Sequence, residues 1–125
     1  MEHTKVSCRF LQTDCIDNTQ TVLYEGEVFS KLGYLTYTNE LGKQEFFFDE
    51  NSMIILRDGE VKTEVNLYKE KQGNARVISE YGELHFTTKI EEYDLKSDSW
   101  CIEYKIFSED AITIHTRIEY CIFKN

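Results

Sequence analysis

The feature that most constrains this chain is a two-residue alternation of apolar and polar side chains that recurs in segment after segment. It is cleanest in Leu84, Phe86, Thr88 and Ile90, in Trp100, Ile102, Tyr104 and Ile106, and in Ile112, Ile114, Thr116, Ile118, Tyr120 and Ile122. Such spacing places every second side chain on one face of a strand, whereas a helix needs apolar residues three and four apart. Val6, Cys8 and Phe10, and then Val22, Tyr24, Gly26 and Val28, repeat the pattern. The chain therefore reads as all-β.

Turn chemistry divides these strands into hairpins. "LGYLTYT" and "KQEFFFD" flank a connection at Asn39 to Gly42, "SMIILR" and "EVKTEVNLY" flank Asp58-Gly59, "EKQGN" leads into "ARVISEY", and Gly82 marks a corner. With no proline and six glycines in 125 residues, there is no linker or low-complexity segment, and residues 1–125 form one domain. The expected fold is a single closed antiparallel barrel of about eight to ten strands, because "AITIHTRIEYCIF" is long enough to pair with two neighbours. A β-sandwich is the alternative. A loop of Ser108, Glu109 and Asp110 puts Ile106 opposite Ile112, Tyr104 opposite Ile114 and Cys101 opposite Arg117. Cys121 then lies four residues beyond Cys101, about 13 Å along the strand and too far for a disulfide.

Fourteen basic residues against twenty-three acidic ones give a net charge of −9. That charge repels phosphate backbones, so no nucleic-acid partner is expected, whereas a basic protein or cationic ligand is compatible with it. No apolar run approaches the roughly 18 residues of a membrane span, and "MEHTKVSCRF" lacks a signal-peptide core. The expected location is the cytoplasm, with Cys8, Cys15, Cys101 and Cys121 reduced. Without a C-x-x-C pair, neither a metal nor a cofactor is expected.

The segments "LRDGEV", "SEYGELHF" and "IEYKIF…AITIHTRIEY" resemble the YwiB-like family of functionally uncharacterised bacterial proteins. Arg57 and Gly59 match its Arg-x-Gly hairpin, and Tyr81 with Gly82 its Tyr-Gly corner. Many relatives carry a proline before that corner, where this chain has Glu80. The resemblance covers nearly the whole chain. It implies a calycin-type, lipocalin-like barrel, with room inside for a small molecule.

No catalytic motif stands out. Alternation puts His85 and His115 on polar faces, His3 sits near the start, and nothing in the spacing brings a histidine to a carboxylate. Asp49, Glu50 and Asn51, like Glu91, Glu92 and Asp94, read as acidic strand ends without the spacing of a calcium loop. Phe10, Tyr24, Phe86, Trp100, Tyr104 and Tyr120 fall on the apolar side. Small residues on or near the same faces, Cys8, Gly26, Thr63, Thr88 and Thr116, leave a recess among them. An apolar or amphipathic ligand would then rest on Trp100, Tyr104 and Phe86, with Thr88 and Thr116 as polar fixing points. The competing reading is an interaction module with a filled core, using Phe29, Phe107 and Phe123 to bind a protein or a second copy.

Arg57 has three geometries. In a two-residue Asp58-Gly59 loop it faces Glu60, with Leu56 and Ile54 buried. In a three-residue loop with Gly59 left-handed, it belongs to the turn, and Ile55 and Met53 are buried. In a longer turn folded over the barrel mouth it reaches a ligand.

Overall fold

The computed structural model describes residues 4–123, so His3 lies outside the described residues. Ten strands follow one another: β1 (Thr4–Asp14), β2 (Thr19–Lys31), β3 (Tyr34–Asn39), β4 (Gly42–Phe48) and β5 (Ser52–Asp58). The second half comprises β6 (Lys62–Tyr68), β7 (Gly73–Ser79), β8 (Gly82–Leu95), β9 (Ser99–Ser108) and β10 (Ala111–Ile122). Each pairs antiparallel with its sequence neighbours, and β10 returns to β1, where Phe10 faces Tyr120 and Cys8 faces Ile122. The sheet is thus a closed barrel rather than a sandwich, and closure leaves no edge strand exposed. The up-and-down order puts the β1–β2, β3–β4, β5–β6, β7–β8 and β9–β10 turns at one end of the barrel, hereafter the turn end.

Alternation sets which side chains fill the interior. Leu35 and Tyr37, Phe46, Met53 and Ile55, Val65 and Leu67, and Trp100, Ile102, Tyr104 and Ile106 are all buried. Phe10, fully buried, centres the core: its ring lies 4.7 Å from that of Tyr37, 4.9 Å from Tyr120, 5.1 Å from Phe46 and 6.0 Å from Trp100. Offset and tilted rings at these separations add to the area they bury.

Departures from strict alternation occur at three register shifts, each an added residue that a period of two cannot reveal. One lies opposite Phe10 and Leu11 and swaps β2 residues, so that Val22 is 51% exposed while Leu23 packs on the core. Another, between Ile90 and Glu92, brings Tyr93 inward. The third, between Ile112 and Ile114, adds one residue, and the loop, the two-residue Glu109-Asp110 with Glu109 left-handed (φ 58°), is one shorter than expected. Together they correct the expected β9–β10 pairing by two residues, so that Ile106 faces Ile114, Tyr104 faces Thr116, and Cys101 faces Glu119. Cys121 accordingly faces Ser99, two residues from the partner of Cys101 rather than four, and all four cysteines are free. Leu84 and Ile114, expected inside, lie in inner rows that overrun the core at the turn end and are exposed, whereas Ile112, opposite Phe107, is turned to the outer row by the register shift.

At β5–β6, Asp58 faces Lys62, Arg57 faces Thr63 and Ile55 faces Val65, leaving Gly59, Glu60 and Val61 as the loop. The two-residue loop is therefore excluded. The buried residues are Met53 and Ile55, as the three-residue alternative requires, but Gly59 does not take the left-handed conformation. Glycine is needed there for a different reason: a Cβ at Gly59 would strike the carbonyl of Leu41, and one at Gly42 (φ +118°) that of Asp58, so the two turns press backbone to backbone.

Phe10→Ala should cost about 3–5 kcal/mol in urea unfolding, whereas Val22→Ala should stay within about 0.5 kcal/mol. A comparable loss at both would refute the swapped register of β2.

Candidate functional site

Four inward residues in cross-strand register form a polar belt towards the turn end. Tyr37 on β3 faces Gln44 on β4, Gln44 faces Arg57 on β5, and Arg57 faces Thr63 on β6. One layer deeper on the same strands lie Leu35, Phe46, Ile55 and Val65, which are buried and apolar. Across the interior, Tyr104 faces Thr116, whose hydroxyl accepts from Gln12 Nε2 at 2.9 Å and donates to the Thr13 carbonyl at 3.1 Å. Between these walls is a cavity of about 180 Å³ bordered by both the polar belt and the apolar layer.

Arg57 reaches this cavity by strand parity, being two residues beyond Ile55, and not by a long turn folding over the mouth. Its Nε donates to Gln44 Oε1 at 3.1 Å, and among the described residues no carboxylate pairs with it. That bond fixes the Gln44 amide, which is 2% exposed, and leaves its Nε2 without a partner. A buried donor in this condition costs about 1–3 kcal/mol. Burial pushes the Tyr37 and Tyr104 phenols up from 10 to about 12, and the Arg57 guanidinium pulls against that rise at both. The cavity is therefore electropositive as well as amphipathic.

Of the residues singled out from sequence, Tyr104, Thr116 and Arg57 line this cavity together with Thr63, while Trp100, Phe86 and Thr88 do not. Trp100 is packed in the other half of the barrel, 5.5 Å from the rings of both Phe46 and Tyr120. The Thr88 hydroxyl is committed to the Asn66 carbonyl at 2.7 Å, crossing over Gly73, where any Cβ would collide with both groups. Phe86 packs against the core opposite Ala75. Gly26 leaves no recess, because the Tyr24 side chain lies over it and donates to the Glu27 carbonyl at 2.6 Å. Gln12 and Gln44 were missed: a lone glutamine in an alternating strand reads as an outward residue unless its parity is followed.

The surface residues sort differently. Phe107 lies at the turn end and Phe29 and Phe123 towards the other, so the three do not form one patch. Instead, Ile16, Leu41, Val61, Tyr81 and Ile112, at or beside the five turns, are exposed and give the cavity end an apolar rim. A larger recess of about 390 Å³ on the outer wall is bordered by Arg9, Asp94, Lys96, Arg117 and Glu119, whose charges are paired. Glu91, Glu92 and Asp94 lie towards the end of β8, which closes at Leu95, and pair with Lys105, Arg117 and Lys96. Asp49 accepts from the amides of Asn51 and Ser52, which hold its carboxyl below the usual range. Contrary to the spacing argument, His115 and His85 each reach a carboxylate, Glu103 and Glu83, at 2.8 Å.

A family model described as "Domain of unknown function (DUF1934)" matches residues 7–119. The chain belongs to this family. Among solved structures, the DUF1934 chain is similar to the ywiB protein of Bacillus subtilis, with a TM-score of 0.58 and 21% identity over 96% of this chain and 91% of that one. At that identity the likeness shows the fold alone, and the closed antiparallel barrel is compatible with the calycin-like architecture that the resemblance implies. No curated protein matches.

Both phenols lose their protons near pH 10 when unfolded but near 12 when folded. Their contribution to stability is complete below pH 10 and lost as pH rises through 12. The buried thiols of Cys8 and Cys101, pushed up from 9 to about 12 and about 11, start the fall of the urea midpoint near pH 9, and above about pH 10 it should fall less steeply in a Tyr37→Phe, Tyr104→Phe double variant than in the parent. An equal fall in both proteins would remove the assignment.

Proposed function

We propose that the protein binds a small amphipathic carboxylate at the turn end of the barrel, its head on Arg57 and Gln44 and its apolar body against Phe46, Ile55 and Val65. The observation that carries this reading is the donor pair itself: a guanidinium with no acidic partner among the described residues, beside a buried amide Nε2 with no acceptor. A carboxylate has two planar acceptor oxygens, and charge-assisted bonds to it are the strong ones. Among anions it is also the head that best suits a small space.

Size limits the body. An apolar cavity of about 150 Å³ holds benzene, so about 180 Å³ suits an aromatic ring or a short branched chain, with anything longer extending past the apolar rim. The protein's net charge of −9 would repel an anion at long range. Affinity must then come from the contacts at Arg57, which makes the reading sensitive to one residue.

Calorimetric titration with benzoate and with benzyl alcohol separates head from body. The expected result is tighter binding of benzoate, lost by about 10–100-fold in Arg57→Gln, with benzyl alcohol affected little. Absence of binding by either, or equal benzoate binding by both proteins, would overturn the reading.

A further inference from the structure

A second site lies on the outer wall, independent of the cavity. Because Asp14 faces Thr116 across β1 and β10, the next residue, Cys15, lands beside His115, and its amide donates to the His115 carbonyl at 2.8 Å. On the other side of β10, Glu103 faces Arg117 and so sits diagonal to His115, reaching its Nε2 at 2.8 Å. The end of β1 and the β9–β10 hairpin, distant in sequence, thus bring a thiol, an imidazole and a carboxylate together, with their ligand atoms within 4.8 Å of one another.

We infer that Cys15, Glu103 and His115 form a binding site for a divalent transition-metal ion, zinc above all. Sulfur, nitrogen and oxygen donors in one set suit a borderline-soft ion and exclude magnesium or calcium, which take oxygen alone. Tetrahedral zinc with bonds of about 2.0–2.3 Å sets its ligands roughly 3.3–3.8 Å apart. The cluster therefore needs only side-chain adjustment to close on the ion. A thiolate and a carboxylate neutralise the divalent charge, which matters where the Glu103 and His115 side chains are each only 23% exposed.

The surroundings help to orient the ligands. Arg117 Nη1 lies 3.5 Å from Glu103 Oε1, leaving Oε2, the oxygen that His115 holds, for the metal. Arg117 is itself paired with Glu92 and Glu119, so its charge is largely offset. An outer partner of this kind fixes a ligating carboxylate. The thiol has only a long contact to compete, Cys15 Sγ to the Thr13 carbonyl at 3.9 Å. With three protein ligands the fourth position stays open to water, the arrangement of an exchangeable or reactive zinc rather than a closed structural one.

Cobalt(II) reports the ligands directly, since a thiolate on tetrahedral cobalt gives a near-ultraviolet charge-transfer band and intense visible bands. Titrating the reduced full-length protein should produce both at about one equivalent, with zinc displacing them. Cys15→Ser should abolish the charge-transfer band, and His115→Ala and Glu103→Gln should each weaken binding by about tenfold or more. Cys121→Ser should change nothing. Unfolding scans without metal show whether each variant is folded. Octahedral cobalt spectra, or a charge-transfer band that survives Cys15→Ser in a folded protein, would overturn the site.

Discussion

The pairing of β10 with β1 turns ten hairpin-linked strands into a barrel, and everything inside follows from that closure. Once the sheet has no edge, each strand has an inner and an outer row, and the inner rows must share one confined volume. Away from the turn end that volume is filled by rings around Phe10, with Trp100 against both Tyr120 and Phe46. Towards the turn end the inner rows carry Gln44, Arg57 and Thr63, whose hydrogen-bonding groups cannot interdigitate as rings do, with the Tyr37 ring at the boundary 4.7 Å from Phe10. The solid and hollow halves are one consequence of which residues occupy the inner rows at each end.

Keeping polar groups inside costs stability. A core of leucine and phenylalanine in those positions would satisfy the barrel without an orphaned amide, and each unsatisfied buried donor costs about 1–3 kcal/mol. Gln44 Nε2 is such a donor, and Arg57 beside it is a cation without a counter-charge among the described residues. Local rules are broken most usefully where a ligand supplies what the fold omits. Trp100 Nε1 is also unpartnered, but it lies among packed rings and does not border the cavity.

Much of the fold was legible because strand periodicity is local. Leu35 and Tyr37, or Trp100 to Ile106, announce their own faces within four or five residues, and the long final strand implied closure. What could not be read depends on counts that alternation does not carry. The register shifts at Leu11, Ile90 and Ile112 each insert a residue, displacing Val22 outward, Tyr93 inward and, together with a loop one residue shorter than expected, the β9–β10 pairing by two. Arg57 follows directly from parity with Met53 and Ile55, but its charge made the outward reading look safer. Cys15, Glu103 and His115 were invisible for another reason: they meet only through the β1–β10 and β9–β10 pairings, and no spacing within one strand records that.

The proposal that the hollow half of the barrel, unlike the solid half, accepts a ligand is tested most directly by backbone and side-chain NMR shifts on titration with a short aromatic carboxylate. The account predicts shifts concentrated at Gln12, Gln44, Arg57, Tyr104 and Thr116, including the Gln44 side-chain amide, with the Trp100 indole unmoved. Shifts centred on Trp100 and Tyr120, or on the outer wall with the Gln44 amide unmoved, would contradict it.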